Sequence, residues 1–252
     1  MQITSYEPGV PSWVDLSTPD PEAAAEFYAE LFGWQVTKMR GGGGYRMCRL
    51  RRKPVAGIAA TYEAETPAWL THVAVDDADA AVEKVRRSGG TVLMEPADVA
   101  PGGRKAVFAD PTGAVCAVWQ AGKHPGAVLV NEPGAVRKND LNTRQREKAT
   151  EFYRAVFGWT TVEESVNQMQ YFDWHIHGRA VAGLMPMDDS FPPDLPSHWV
   201  TYFEVADCEG TAELLTKLGG QVMVPPTDSG PGIFSVVTDP QGAVFDIIQM
   251  NH

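Results

Sequence analysis

An α+β fold built from four β-α-β-β-β modules, paired two and two, is predicted by three observations. First, Glu26-Phe27-Tyr28-Ala29-Glu30-Leu31-Phe32-Gly33-Trp34 returns as Glu151-Phe152-Tyr153-Arg154-Ala155-Val156-Phe157-Gly158-Trp159. Second, Tyr45 to Gly57, Asp77 to Val92 and Asp110-Pro111-Thr112-Gly113-Ala114-Val115 return in the same order as Tyr171 to Gly183, Asp207 to Val222 and Asp239-Pro240-Gln241-Gly242-Ala243-Val244, the mark of a duplicated unit. Third, a strand, a helix and three strands can be read twice within each half.

The elements follow from local chemistry. Residues 10 to 17 alternate as a strand does; Thr18-Pro19-Asp20-Pro21 then supplies a helix cap and a first-turn proline, and Ala24, Phe27 and Leu31 fall on one helical stripe that Gly33 stops. Trp34 to Met39, Tyr45 to Leu50 and Val55 to Thr61 read as short strands joined by the glycine run Gly41 to Gly44 and a Lys53-Pro54 turn. No helix follows the glycine run, so it predicts a hairpin and not a phosphate cradle. The second module takes a strand at Leu70 to Val75, a cap at Asp76 or Asp77, a helix over Ala80 to Arg87 ended by Gly89-Gly90, and strands near Val92, at Lys105 to Phe108 and at Ala114 to Gln120. The predicted division is a first domain over residues 1–122, a linker over 123–133 rich in Pro and Gly, and a second domain over 134–252 that repeats the first.

Composition narrows the function classes. With 44% apolar residues, each half of about 125 residues is long enough for a core of its own. A net charge of −11 argues against nucleic acid and anionic membrane as partners, because both need a concentrated basic surface. Arg49, Arg51, Arg52 and Lys53 form the one basic run and read as a solvated strand face. Cys48, Cys116 and Cys208 imply neither a disulfide framework nor a zinc ribbon. No signal peptide or run of roughly 18 apolar residues is readable, so the cytoplasm is the expected location.

Four such modules resemble the vicinal oxygen chelate superfamily of glyoxalases, bleomycin-resistance proteins and extradiol dioxygenases, in its tandem two-domain actinobacterial form. The residues carrying the match are Asp20-Pro21, Phe27-Tyr28, Phe32-Gly33-Trp34, Gly89-Gly90 and the Asp-Pro-x-Gly-Ala-Val run, all echoed in the second half. The resemblance implies two glyoxalase/bleomycin-resistance-like domains, each with a curved mixed sheet around a cavity. It also implies a test, since metal enzymes of this family take one His or Glu from the first strand and one from the last strand of each paired module. Here Trp13 stands on the first position, Val55 to Ala59 offers no ligand, His72 matches, and Ala117 closes the first set. In the second set Lys138 and Tyr202 replace ligands, Val181 to Met185 offers none, and Asp246 alone qualifies. The expectation is therefore no metal and no other cofactor in either half.

Strand alternation nonetheless points chemistry inward. In the first cavity Trp13, Asp15, His72, Ala117 and Trp119 are expected, with Phe108 as a further wall residue; in the second, Lys138, Asp140, Tyr202, Glu204 and Asp246. The bland reading is that Lys138 neutralises Asp246 or Glu204; the sharper one is ligand binding or acid-base work. Asp173, His175 and His177 share a strand face whose counterparts are Met47, Arg49 and Arg51, so that face is expected to meet solvent.

The leading expectation is a metal-independent protein that binds a flat apolar or aromatic small molecule, in the manner of proteins of antibiotic resistance or biosynthesis. An alternative is a metal-independent lyase, isomerase or tailoring enzyme whose catalytic groups are His72 with Asp15, or Tyr202 with Lys138 and Glu204. A divalent-metal glyoxalase or dioxygenase is the third. A small-molecule ligand is the expected partner, and monomer or homodimer the expected state, because fusion supplies in one chain the second domain that single-domain relatives obtain by pairing.

Overall fold

The computed structural model describes residues 1–39, 41–61, 66–164 and 170–251. The first half runs β1 Pro11–Thr18, α1 Pro21–Phe32, β2 Gln35–Lys38, β3 Arg46–Leu50, β4 Lys53–Ala60, β5 Ala68–Ala74, α2 Ala78–Arg87, β6 Thr91–Val99, β7 Gly103–Ala109 and β8 Val115–Ala121. The second runs β9 Val136–Thr143, α3 Arg146–Phe157, β10 Thr160–Glu163, β11 Phe172–Ile176, β12 Arg179–Pro186, β13 His198–Glu204, α4 Cys208–Lys217, β14 Gln221–Asp228, β15 Gly232–Thr238 and β16 Val244–Met250. Each half forms one eight-stranded sheet, ordered β2-β3-β4-β1-β5-β8-β7-β6 and β10-β11-β12-β9-β13-β16-β15-β14. The sheets are mixed: β1 pairs parallel with β4 and antiparallel with β5, which pairs parallel with β8. This is the predicted α+β architecture.

Local signals behave as expected. Asp20 accepts from the backbone N–H groups of Glu22 and Ala23 to cap α1, and Asp77, not Asp76, caps α2. Gly33 and Gly158 end α1 and α3 in the left-handed conformation, at φ 70° and 76°, which a side chain would disfavour. The basic run is a strand face only at Arg49 on β3 and Lys53 on β4, because Arg51 and Arg52 form the exposed β3–β4 turn. No helix among the described residues is long and apolar enough to cross a membrane.

The halves do not keep separate cores, contrary to the expectation from length. One cluster joins Val14, Leu16, Phe27, Tyr28 and Trp34 of the first half to Phe203, Leu215, Phe245 and Ile247 of the second. The other joins Val73, Val82, Phe108 and Cys116 to Phe152, Tyr153, Trp159, Trp174 and Trp199. Each helix lies on strands of its own half, α1 beside β1, β2 and β4 and α2 beside β6, β7 and β8, and turns its apolar stripe into a core that both halves fill.

The repeated motifs fasten these shared cores. Tyr28 donates to Asp239 Oδ2 at 3.1 Å and Tyr153 donates to Asp110 Oδ2 at 2.9 Å. Each aspartate uses its other oxygen to accept N–H groups of its own Asp-Pro-x-Gly turn, while Trp69 and Trp199 donate their indole N–H to the same tyrosines. At the centre Thr71 and Thr201 both donate to Asn139 Oδ1 at 3.0 Å. Since neighbours on a strand face opposite ways, burying Thr71, Asn139 and Thr201 between the sheets sends His72, Lys138, Asp140 and Tyr202 to the other faces, where the candidate sites lie.

Candidate functional site

The first inward-facing cluster, called cavity one after the sequence expectation, is built on β1, β4, β5, β7 and β8. Asp15 Oδ1 lies 3.1 Å from His72 Nε2, and Lys105 Nζ lies 3.4 Å from Asp15 Oδ2. The His72–Asp15 approach is off the hydrogen-bonding direction, so both imidazole nitrogens, fully buried, lack a hydrogen-bond partner. Burial alone would raise Asp15, but the Lys105 ammonium and His72 more than offset it and hold the carboxyl well below the usual range. Burial lowers His72, outweighing the Asp15 carboxylate, and keeps the imidazole neutral near pH 7.

The mouth of cavity one is covered by the segment between the halves. His124 sets its ring edge-on to Trp13, centroids 4.4 Å apart, and lies 5.7 Å from the ring of Trp119. Backbone bonds seat this strap: Ala127 N–H donates to Ser12 O at 2.7 Å, Val128 N–H to Pro54 O at 2.8 Å and His124 N–H to Gly102 O at 3.0 Å. Trp119 Nε1 donates to His124 O at 2.9 Å. Burial, with His72 and Arg49 nearby, lowers His124 to about 4, and its Nε2 is buried without a partner. Trp13 is spent on the protein itself, donating to Tyr45 Oη at 2.9 Å and packing with Met47 and Ala127.

Among the described residues no such strap lies over cavity two, and Asn251 donates to Pro231 O and Gly230 O. Lys138 Nζ donates to Asp140 Oδ2 at 2.7 Å and to Tyr171 Oη at 3.0 Å, and Tyr171 donates in turn to Asp140 Oδ1 at 3.1 Å. The ammonium also sits over two rings, 4.6 Å from the Tyr171 centroid and 4.4 Å from that of Tyr202. Asp246 is the register partner of Tyr202. Its Oδ1 is buried and unpartnered. Burial raises Asp246 to about 7; a Tyr202 hydrogen bond and Lys138 pull it down, while Asp140 pushes it up. Of this ion pair Lys138 is the member that reaches solvent: its side chain is 31% exposed and that of Asp140 0%.

Several expectations need correction. Lys138 pairs with Asp140, not with Asp246 or Glu204. Glu204 lies 3.5 Å from Arg137, because a register shift between Tyr202 and Phe203 turns β13 out of phase with β9. Phe108 does not line cavity one; it is wholly buried between the halves against Phe152 and Phe157, on the strand face opposite Lys105. The face bearing Asp173 meets solvent at His177, which is exposed, but only in part at the half-buried Asp173 and His175. Asp173 is the partner of Gly183, which also faces Asp140, and burial together with Asp140 raises it despite Lys138. Its counterpart Met47 packs on Trp13. Trp174 and Ile176 do turn to the core. Trp13, Asp15, His72, Ala117 and Trp119 converge on cavity one, and Lys138, Asp140, Tyr202 and Asp246 on cavity two.

Sequence reasoning missed Tyr45, Lys105, His124, Tyr171 and Asp173. One signal was present for the tyrosines: they open the repeated segments that Gly57 and Gly183 close. A Cβ at Gly57 would overlap Tyr45 Oη, and one at Gly183 would overlap Tyr171 Oη and Asp140 Oδ1.

The donor set does not fit a divalent ion. Cavity one offers Asp15 and His72 against Trp13, Gly57 and Ala117; cavity two offers Asp140, Asp246 and the half-buried Asp173 around a lysine set between tyrosines. In each, a tyrosine hydroxyl fills the space from which the fourth strand would extend a ligand. Among the described residues no three His, Cys, Asp or Glu side chains converge to hold a metal.

Comparison with known proteins gives a consistent picture. The profile of the Glyoxalase/Bleomycin resistance protein/Dioxygenase superfamily matches residues 11–118 and 135–247. CFP32 of Mycobacterium tuberculosis (strain CDC 1551 / Oshkosh), a protein with glyoxylase in its name, is 42% identical over 98% of this chain and 97% of its own. The anthracycline biosynthesis protein DauV of Streptomyces sp. (strain C5) is 36% identical over 98% of this chain and 96% of its own. Among solved structures, the Mn(II)-bound glyoxalase from Novosphingobium aromaticivorans superimposes with a TM-score of 0.67 at 17% identity, covering 96% of this chain and 82% of that one. The 2,3-dioxygenase LapB from Pseudomonas sp. KL28 gives 0.68 at 14%, covering 98% and 94%. At those identities the structural likeness concerns the fold alone.

Proposed function

The chain belongs to the glyoxalase/bleomycin resistance protein/dioxygenase superfamily, and from that premise we propose that it binds a flat aromatic small molecule in cavity two without a metal ion. One observation carries the reading. Where a chelating protein would supply imidazole and carboxylate, cavity two holds an ammonium between two tyrosine rings beside a buried carboxyl oxygen that no protein group satisfies. An unpaired buried acceptor costs free energy unless a ligand or water meets it. Tyr202, Phe234, Ile248 and Met250 supply the apolar wall, suited to a planar ring system. The similarity to an anthracycline biosynthesis protein agrees with such a ligand.

Cavity one is the poorer candidate, because the strap places His124 against Trp13 and Trp119 and leaves His72 only 1% exposed. A second reading, proton transfer on the bound molecule, is favoured by the near-neutral Asp246. It would use Asp246 and Tyr202 in place of Glu204, which is tied to Arg137. The three buried unpaired thiols agree with a reducing compartment, and we retain the cytoplasm as the proposed location.

Titrating chelator-treated protein with 2-(hydroxymethyl)anthraquinone, followed by intrinsic fluorescence, tests the proposal. Saturable one-to-one binding, unchanged by added Mn(II) and weakened by a Tyr202→Ala substitution, is the expected result. Binding that appears only after a divalent ion is restored would overturn it.

A further inference from the structure

We propose that Lys138 serves as the resident cation of cavity two, binding and ionising a phenol or enol oxygen of the ligand, as an ammonium built into the place the fold otherwise gives to a divalent ion. The inference rests on the reading of cavity two as a flat-ligand site and adds the chemical class: a planar aromatic molecule bearing an acidic hydroxyl beside a carbonyl.

Three observations lead there. Lysine has three N–H donors. Two are spent, on Asp140 Oδ2 and Tyr171 Oη; the third has no hydrogen-bond acceptor among the described residues. Those two bonds and the two tyrosine faces fix the ammonium, so it is oriented before a ligand arrives. The side chain remains about one third exposed while Asp140 beneath it is sealed, so the group an incoming oxygen meets first is positive.

The groups facing Lys138 are Asp140 and Tyr171 on β9 and before β11, Asp173 on β11, Tyr202 on β13 and Asp246 on β16. Asp140 is satisfied by Lys138 and Tyr171, and burial with Asp140 nearby raises Asp173 toward its neutral form despite Lys138. Tyr171 and Tyr202 stay protonated, since burial and neighbouring carboxylates raise both. Asp246 is largely protonated below neutrality and offers either an O–H or an acceptor to a second ligand oxygen. A hydroxyl and a carbonyl held peri on a fused ring system present two oxygens on one edge, one for Lys138 and one for Asp246. Ionisation releases the hydroxyl proton to solvent and leaves the oxyanion against Nζ, with no other bond made or broken.

Alizarin, a 1,2-dihydroxyanthraquinone whose absorption moves to the red when a phenol ionises, reports this directly. With chelator present throughout to exclude metal–dye complexes, its spectrum is recorded against pH free, bound to the native chain, and bound to Lys138→Arg and Lys138→Met/Asp140→Asn variants. The double variant removes the cation without stranding a buried carboxylate. The expected result is a phenol pKa at least one unit lower on the native protein than in solution, a tenfold preference for the phenolate. That shift is largely retained with arginine and absent in the double variant. An unshifted or raised phenol pKa, or a shift that survives in the double variant, overturns the role of Lys138 while leaving flat-ligand binding intact. If neither alizarin nor 2-(hydroxymethyl)anthraquinone binds, the site reading fails and this inference with it.

Discussion

Replacing Asp246 with Asn makes the protein's stability depend less on pH, by an amount the site itself sets. The carboxyl rises from 3.8 to about 7, driven first by burial and then by Asp140, against the Tyr202 hydrogen bond and Lys138. Between those two values the unfolded chain has lost the proton and the folded chain keeps it, so the native state weakens as pH rises. At 1.36 kcal/mol per unit, raising the pH from 5 to 8 passes through about two units before the folded carboxyl ionises, a loss of about 3 kcal/mol. Asparagine fills the same space and cannot ionise. Urea unfolding of both proteins at pH 5 and pH 8 reads the difference, since other groups titrate alike in both. The native chain should lose about 3 kcal/mol relative to Asp246→Asn across that interval. A gap constant within about 0.5 kcal/mol, or one of opposite sign, would mean that Asp246 is paired or solvated and that cavity two is not built as described.

Three further outcomes follow from the packing. Tyr153→Phe should cost about 1–3 kcal/mol in urea unfolding by stranding Asp110 Oδ2 and Trp199 Nε1; an effect below about 0.5 kcal/mol would show that this link between the halves is idle. Gly183→Ala should destabilise by about 1–3 kcal/mol through overlap with Tyr171 and Asp140, and the cost should shrink in a Tyr171→Phe background; additivity of the two changes would refute the contact. Residues 123–252 expressed alone expose Phe152, Tyr153, Phe203 and Phe245, so they should fail to unfold cooperatively as a monomer; a well-folded monomer by sedimentation and thermal melting would contradict the shared cores.

The fold was legible because it is written twice. Alternation, caps and stop glycines located α1 and α2 within a residue or two, and the duplication placed α3 and α4 by copy. Hydrophobic pattern states which face of an element is buried and not against what, so the sharing of both cores between the halves was invisible. The tyrosine and aspartate of the repeated motifs were its visible ends, but only coordinates show Tyr28 reaching Asp239 and Tyr153 reaching Asp110. The site was legible along single strands and failed across them. Trp13, Asp15, His72, Lys138, Asp140 and Asp246 were placed by alternation; Glu204 was misplaced because one register shift reverses phase; Phe108 was misplaced because its strand's phase went unassigned. His124 sat in a segment whose Pro and Gly mark a connection, and nothing local tells a connection from a cover. Asp173 was sent to solvent because a strand's second face was equated with water, whereas here it borders the cavity.

The most direct measurement is a crystal structure of the chelator-treated chain with alizarin bound. A planar ligand lying against Tyr202 and Phe234, an oxygen within hydrogen-bonding distance of Lys138 Nζ and no cation in the cavity is the predicted outcome. A metal ion coordinated by Asp246 or Asp140 with Lys138 swung aside, or the dye in cavity one beneath a lifted strap, would contradict it.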